Sequence, residues 1–155
     1  LLQDHLSIPV NQVNAGHLAR RQGINVTNIS SVDSRDYLSV VQLSGTTANG
    51  TLCLEGTLFD ERQPRLVRVN DFVIEAELEG QVVMTRHADQ PGVIGAIGEL
   101  LGREGINITR MQVGVASEDN SQAIAAFGVS SELSDATMDA LRAIEPVDNA
   151  MQVRF

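Results

Sequence analysis

A short polar segment lies between a predicted strand and a predicted helix in the second half of the chain, and its side chains are suited to ligand binding. The N–H groups of Gly92, Val93 and Ile94 open the helix, so they can receive a carboxylate. Asp89 can pair with an ammonium group, and His87 can form a hydrogen bond with a hydroxyl. These donors and acceptors suit an amino-acid zwitterion. A helix cap with polar neighbours is the alternative interpretation of the same residues.

The same segment also contains part of a metal-binding pattern. His87 and Asp89 could each ligate a metal ion, but a zinc site needs at least three protein ligands and no third one is apparent. A structural turn therefore explains the pair better. The other histidines, His5 and His17, form no motif with a serine, an acid or one another. We expect no metal site and no catalytic residue in the chain, and we expect both of these histidines on the surface.

Three glycines at the same strand-to-helix transition raise the question of a nucleotide site. A dinucleotide fingerprint has the pattern G-x-G-x-x-G, with its first two glycines one residue apart at a tight turn. Gly92, Gly95 and Gly98 instead recur at every third residue, inside the predicted helix. We therefore expect no nucleotide cofactor in this chain. The glycines indicate close helix packing or the approach of a neighbouring backbone.

The composition excludes several further function classes. All 11 basic residues of the 155 are arginine, so no P-loop lysine and no Schiff-base lysine is available. With 20 acidic residues and a net charge of -9, the chain lacks the basic surface of a nucleic-acid binder. No apolar run approaches the roughly 20 residues of a membrane span. The partners expected are therefore neither nucleic acid nor a membrane.

The single cysteine indicates the cellular compartment of the protein, and the first residues indicate whether the chain is part of a longer one. Cys53 lies between Leu52 and Leu54, which predicts a buried small hydrophobe rather than a nucleophile. One cysteine cannot form an internal disulfide, which fits a reducing, cytoplasmic compartment. The chain starts with neither an initiator methionine nor a signal peptide. We expect it to be part of a longer protein.

The first half of the chain is predicted to form one helix followed by an antiparallel sheet. Asn14 can cap a helix that Gly23 ends. Asn49-Gly50 favours a turn between paired strands. The last strand alternates apolar with mostly acidic residues, so one of its faces should be buried. The predicted strands cover residues 24–29, 37–44, 51–59, 65–69 and 72–78.

The second half is predicted to follow the order β-α-β-β-α-β. Pro91 suits the first turn of one helix, at about residues 91–104, and Ser134 can cap the other. The apolar phase of the strand after Ile106 shifts near Thr109-Arg110, which indicates a bulge. The remaining strands cover residues 81–86, 123–129 and 151–155. The fold class is therefore α+β: a helix-plus-antiparallel-sheet domain at residues 1–80, then a ferredoxin-like domain at residues 81–155.

Short motifs in both halves resemble one family. The stretches HADQPGVIG at 87–95, GINI at 105–108 and MQVG at 111–114 resemble an ACT domain of the kind that ends D-3-phosphoglycerate dehydrogenase. In the first half, VNQVNA at 10–15, GTLF at 56–59 and LVRV at 66–69 resemble the intervening domain of that enzyme's long form. The resemblance implies that the intervening domain is truncated at its N-terminus.

The resemblance also implies a regulatory function. The parent would be an NAD-dependent enzyme of serine biosynthesis, with NAD bound outside this chain. L-serine would bind as a feedback effector where two ACT domains meet, at His87 and Asp89 of one copy and Asn107 of the other. The chain is therefore expected to pair with itself, as a homodimer or a higher oligomer. Two alternatives stay open: an oligomerisation module that binds nothing, and the regulatory part of an iron-sulfur L-serine dehydratase.

The resemblance further implies an anion site in the first domain. Arg65 falls at a basic position of that site, whereas Glu77 stands where a second basic residue is expected. Ordinary solvated charge is the alternative interpretation of Arg62, Arg65 and Arg68.

Overall fold

The computed structural model describes residues 8–27, 37–47, 50–60, 62–116 and 121–155. The chain divides into two compact units, residues 1–35 and residues 36–155. The second unit spans the position of Gly80, where the sequence predicts a domain boundary. That boundary stays a prediction.

Among its described residues, 8–27, the first unit contains one helix, α1 (Ala15–Arg21). The predicted helix is confirmed, and Gly23 follows it with a φ of 75°, in the left-handed region that suits glycine. The predicted cap is wrong, because the Asn14 side chain accepts no hydrogen bond from the helix. Its Oδ1 accepts instead from the N–H of Asn11, at 2.8 Å. Residues 24–27 form no strand, and the rest of that predicted strand lies outside the described residues, as does His5.

The second unit begins with a four-stranded antiparallel sheet in the order β1-β2-β3-β4. Its strands match the predicted ones, except that the first starts four residues late. The tip of the β1–β2 hairpin at residues 48–49, with the predicted Asn49-Gly50 turn, lies largely outside the described residues. Apolar residues of β4 alternate as predicted, with Phe72, Ile74 and Ala76 buried on one face. The strands are β1 (Val41–Thr47), β2 (Gly50–Phe59), β3 (Gln63–Val69) and β4 (Phe72–Glu77).

The rest of the unit has the predicted βαββαβ order, which confirms the α+β fold class. Its four-stranded sheet has the antiparallel order β6-β7-β5-β8. Both helices pack on one face of this sheet, over a core centred on Phe127, Ile97 and Leu141. The elements are β5 (Gln81–Ala88), α2 (Val93–Arg103), β6 (Ile108–Val115), β7 (Gln122–Val129), α3 (Asp135–Arg142) and β8 (Val147–Arg154).

The two helices begin in different ways. Ser134 caps α3 as predicted, because its hydroxyl accepts a hydrogen bond from the N–H of Thr137 at 3.1 Å. Helix α2 begins at Val93 after Gly92, whose φ of 97° is left-handed. Pro91 therefore lies before the helix and not in its first turn, because the left-handed backbone at Gly92 delays the helix start.

The predicted bulge is present in β6, between Ile108 and Arg110. The extra residue changes which side chains face the helices. Met111 and Val113 point to the helix side, since they pair with Phe127 and Ala125 of the helix-facing core.

The opposite face of the second sheet packs on the buried face of the first. Their shared core contains Ile74 and Leu66 from the first sheet and Ile124 and Ala126 from the second. Strand β4 approaches β6 so closely that a Cβ at Gly114 would overlap the carbonyl oxygen of Val73. The second unit is therefore three layers deep: helices, sheet, sheet.

Candidate functional site

The side chain of His87 is the buried polar group at the centre of the predicted site. Strand β5 directs it to the helix side of the sheet, where it is only 2% exposed. Its Nδ1 lies 3.0 Å from the carbonyl oxygen of Ala88. A carbonyl oxygen only accepts, so this hydrogen bond assigns the proton to Nδ1. In the neutral ring Nε2 is then an acceptor, and it is buried without a partner among the described residues.

A second buried polar atom lies two residues earlier on the same strand. Thr85 is 2% exposed, and its Oγ1 also has no hydrogen-bond partner within the described part of the chain. Residues two apart on a strand share a face, so Thr85 and His87 lie side by side beneath the helices. Thr85 was not among the predicted site residues. One sequence pattern could have identified Thr85: it alternates with Val83 and His87 along a buried strand, so the three side chains share one face.

The start of α2 offers backbone donors close in sequence to His87. No side chain caps the helix, and its first turn contains no acidic residue. Val93 is buried and Ile94 half-buried, so packing holds this turn in place. Free N–H groups and the helix dipole make such a terminus a site for a carboxylate. The predicted groups at Gly92, Val93 and Ile94 are therefore available.

Asp89 lies at the surface between His87 and the helix. Its N–H donates to the carbonyl oxygen of Ser121 at 2.9 Å, which fixes the backbone. Its side chain is exposed and has no ion-pair partner among the residues that the structure describes. The carboxylate can therefore meet a cationic group from solvent.

Asn107 does not join these residues within one chain. It precedes β6 at the end of the sheet where Val129 pairs with Gln81, whereas His87 pairs with Ala123 at the other end. The six residue steps from Gln81 to His87 span about 20 Å of strand. The exposed Asn107 side chain is thus far from the groups around His87.

The arginines of the first sheet are mostly paired rather than solvated. Arg65 is only 16% exposed and forms an ion pair with Glu77 at 2.5 Å. Arg68 pairs with Glu55 at 3.1 Å. Of the three predicted arginines, Arg62 alone is exposed. Ordinary solvated charge is therefore the wrong description of Arg65 and Arg68, because cross-strand carboxylates face both of them.

Cys53 is not the buried hydrophobe that its neighbours predict. It is partly exposed, and Gln42 Nε2 lies 3.2 Å from its Sγ. It points away from the apolar face because strand residues alternate, so Leu54 contacts the core and Cys53 does not. The thiol is free.

Two kinds of site were looked for in the part of the chain that the structure describes, a metal-binding cluster and a helix able to span a membrane. These residues contain no group of three histidine, cysteine, aspartate or glutamate side chains that could hold a metal ion. None of their helices is long and apolar enough to cross a membrane. His17 is exposed, as predicted.

Comparison with known families accounts for both halves of the chain. The model of the D-3-phosphoglycerate dehydrogenase intervening domain matches residues 1–70. The ACT domain model matches residues 81–146. The chain therefore combines a D-3-phosphoglycerate dehydrogenase intervening domain with an ACT domain. The ACT match covers β5 to α3, and the intervening-domain match covers α1 and β1 to β3.

Curated relatives of the chain are named D-3-phosphoglycerate dehydrogenase. D-3-phosphoglycerate dehydrogenase of Synechocystis sp. is 32% identical over the whole chain, which covers 28% of that relative. The Bacillus subtilis enzyme is 32% identical over 86% of the chain and 25% of its own length. The Mycobacterium leprae enzyme is 33% identical over 69% and 20%. The chain thus spans about a quarter of the length of these relatives.

Proposed function

We propose that the chain is the regulatory part of an NAD-dependent D-3-phosphoglycerate dehydrogenase and that L-serine binds to its ACT domain as a feedback effector. The catalytic and NAD-binding parts then belong to the remaining length of the parent enzyme, in the cytoplasm. The family of the chain and the names of its relatives support the parent activity.

One observation carries the serine assignment: the buried Nε2 of His87 is an acceptor without a partner among the described residues, and an uncapped helix start follows six residues later in the chain. The serine hydroxyl donates to Nε2. The carboxylate accepts from the N–H groups of Val93 and Ile94, and the ammonium group pairs with Asp89. Every polar group of serine then has a partner of the right kind.

The second copy of the chain supplies the rest of the site. Strand β6 is an edge strand, and within the described residues its outer side pairs with no other strand; an isolated bridge to Phe72 follows at Ala116, one residue beyond its end. Antiparallel pairing of β6 with itself over its full length places residue 108 opposite residue 115. Asn107 of the partner subunit then reaches the end of the sheet where His87 lies. The Asn107 amide can donate to the serine carboxylate or accept from its ammonium group.

The main alternative is an oligomerisation module that binds no effector. The exposed apolar side chains on β6 favour it, because Met111 is 42% and Val113 43% exposed. Two-fold pairing through β6 would cover both side chains with or without serine. Ligand titration separates the two functions.

Calorimetric titration of the chain with L-serine and L-alanine tests the proposal. Alanine retains the carboxylate and ammonium contacts but leaves His87 Nε2 unpaired. An unpaired buried acceptor costs about 1–3 kcal/mol, so alanine should bind at least about fivefold more weakly than serine. Equal affinities would refute the role of His87, and binding of neither amino acid would favour the oligomerisation module.

A further inference from the structure

The ACT sheet, β6-β7-β5-β8, has two edge strands that differ in how their backbone is covered. Among the described residues, the outer sides of β6 and β8 pair with no other strand. Unpaired N–H and C=O groups on an edge strand are a template for another copy of the same chain. If both edges paired with themselves, the sheet would grow without limit, because each added copy brings a new edge. A sheet that pairs through β6 therefore needs a feature that closes β8.

The backbone N–H and C=O groups of Ala150 lie on the outer side of β8. In an antiparallel pair, the backbone groups of alternate residues point towards the partner strand, and those of the residues between them point away. The N–H of Phe155 donates to the carbonyl oxygen of Gly80 at 2.9 Å, which is the side of β5. The register of β5 with β8 is regular from Gln81 to Arg86, so Ala150, five residues before Phe155, points outward.

Arg142 covers this outward carbonyl group. Its Nε donates to the carbonyl oxygen of Ala150 at 3.2 Å. Arg142 lies in the last turn of α3, and an ion pair at 3.0 Å with Asp139, one turn earlier, orients its guanidinium group. A second strand that donates to the same oxygen would have to displace Arg142 or bury its charge. The middle of the β8 edge is therefore blocked.

A further contact fixes α3 beside β8. The Gln152 side chain accepts a hydrogen bond from the N–H of Leu133 and donates one to its carbonyl oxygen, both at 3.0 Å. Leu133 comes directly before Ser134, which caps α3. Helix α3 is thus attached to β8 near its start by Gln152 and near its end by Arg142. This double attachment keeps Arg142 at the strand edge.

Strand β6 has no comparable cover. None of the side-chain hydrogen bonds within the described ranges ends on its backbone, and its own Arg110 donates to the carbonyl oxygen of Glu79 instead. Helix α2 also has an arginine in its last turn, Arg103. Arg103 forms no ion pair with any residue that the structure describes. Of these two last-turn arginines, Arg142 alone donates to the edge of a strand.

We propose that Arg142 is a cap that prevents β8 from pairing with β8 of a second copy of the chain. Assembly through the ACT sheet then stops at two chains, which are joined through β6. Removal of the cap exposes a second surface for self-association, the outer edge of β8. Pairing through β6 belongs to the proposed function, whereas the cap on β8 does not depend on it.

Sedimentation of the full chain over a range of concentrations tests the cap. Arg142→Ala removes the guanidinium group, so the mass should rise with concentration to at least about twice that of the native chain. Arg103→Ala removes the same charge from the last turn of the other helix, and its mass should equal that of the native chain. Both arginines are exposed, so both variants should fold, which circular dichroism checks. If Arg142→Ala does not fold, Arg142→Met keeps the aliphatic part of the side chain and should give the same rise.

Amide hydrogen exchange locates the new contact. In the assembled variant, the outward N–H groups of Ala150 and Gln152 should exchange more slowly than in the native chain. The proposal is wrong if the folded variant has the native mass at every concentration, if Arg103→Ala assembles as strongly, or if these two amides gain no protection. A native chain that sediments as a monomer would refute pairing through β6 alone, and Arg142→Ala should then form a dimer through β8.

Discussion

Replacing Asp89 and Asn107 in different subunits tests whether the serine site is shared between two chains. The two residues lie at opposite ends of the ACT sheet, separated by about 20 Å of strand within one chain. A ligand as small as serine cannot touch both in the same subunit. A site that uses both must therefore combine Asp89 of one copy with Asn107 of the other.

The expected size of each effect follows from the exposure of the groups. A charge-assisted hydrogen bond contributes about 1.5–3 kcal/mol. Asp89 is exposed before binding, so the lower end applies and Asp89→Ala should weaken serine binding about tenfold. Asn107→Ala removes an amide that can meet either polar end of serine, and the loss should be comparable. Neither side chain is part of the core, so folding should be unchanged.

A mixed dimer with Asp89→Ala in one chain and Asn107→Ala in the other gives the sharper result. Both lesions then fall in one of its two sites, and the other site is intact. Calorimetry on dimers purified through two different tags should show one site of native affinity per dimer. If no site retains native affinity while folding and dimerisation are unchanged, the two residues do not act across the interface, and the shared-site model fails.

Three further outcomes are expected. Gly114→Ala should lower the melting temperature by about 3 °C or more, because a Cβ there overlaps the carbonyl oxygen of Val73 and overpacking costs about 1–3 kcal/mol. Gly98→Ala is the matched control, because no atom lies within 4 Å of the new Cβ, and it should raise the melting temperature. A lower melting temperature for both variants would contradict the packing argument. Ser134→Ala removes the cap on the N–H of Thr137 and should cost about 1 kcal/mol in chemical denaturation, with no change if the cap is unimportant. The chain should sediment as a dimer without serine, and a monomer mass at all concentrations would exclude pairing through β6.

Much of the fold follows from periodicity in the sequence. The alternation in β4 predicted a buried face that the structure confirms. The prediction at Cys53 was wrong, because an apolar run on a strand still alternates between two faces. The helix starts at Asn14 and Gly92 depend on local backbone angles, and residue type alone does not determine these.

The candidate site was predictable only where its groups are adjacent in sequence. His87, Asp89 and the start of α2 lie within eight residues, so their spacing suggested a common ligand. The contact between Glu77 and Arg110 was not predictable, because it depends on the packing of two sheets and on the exact register of β6. The position of Thr85 was indicated by its alternation with Val83 and His87, but the missing partner of its hydroxyl is apparent only from three-dimensional packing.

The bulge in β6 also limits how the ACT domain can move. A one-residue slip of β6 would turn Arg110 towards the helices and Met111 towards the other sheet, breaking the ion pair with Glu77 and exposing core. A two-residue slip preserves the faces but shifts the strand by about 7 Å, far beyond the reach of that ion pair. Strand β6 can therefore slide only in steps of whole residues, and each step breaks contacts that stabilise the fold. Any displacement of β6 must therefore carry β7 with it, because the register between the two strands is fixed.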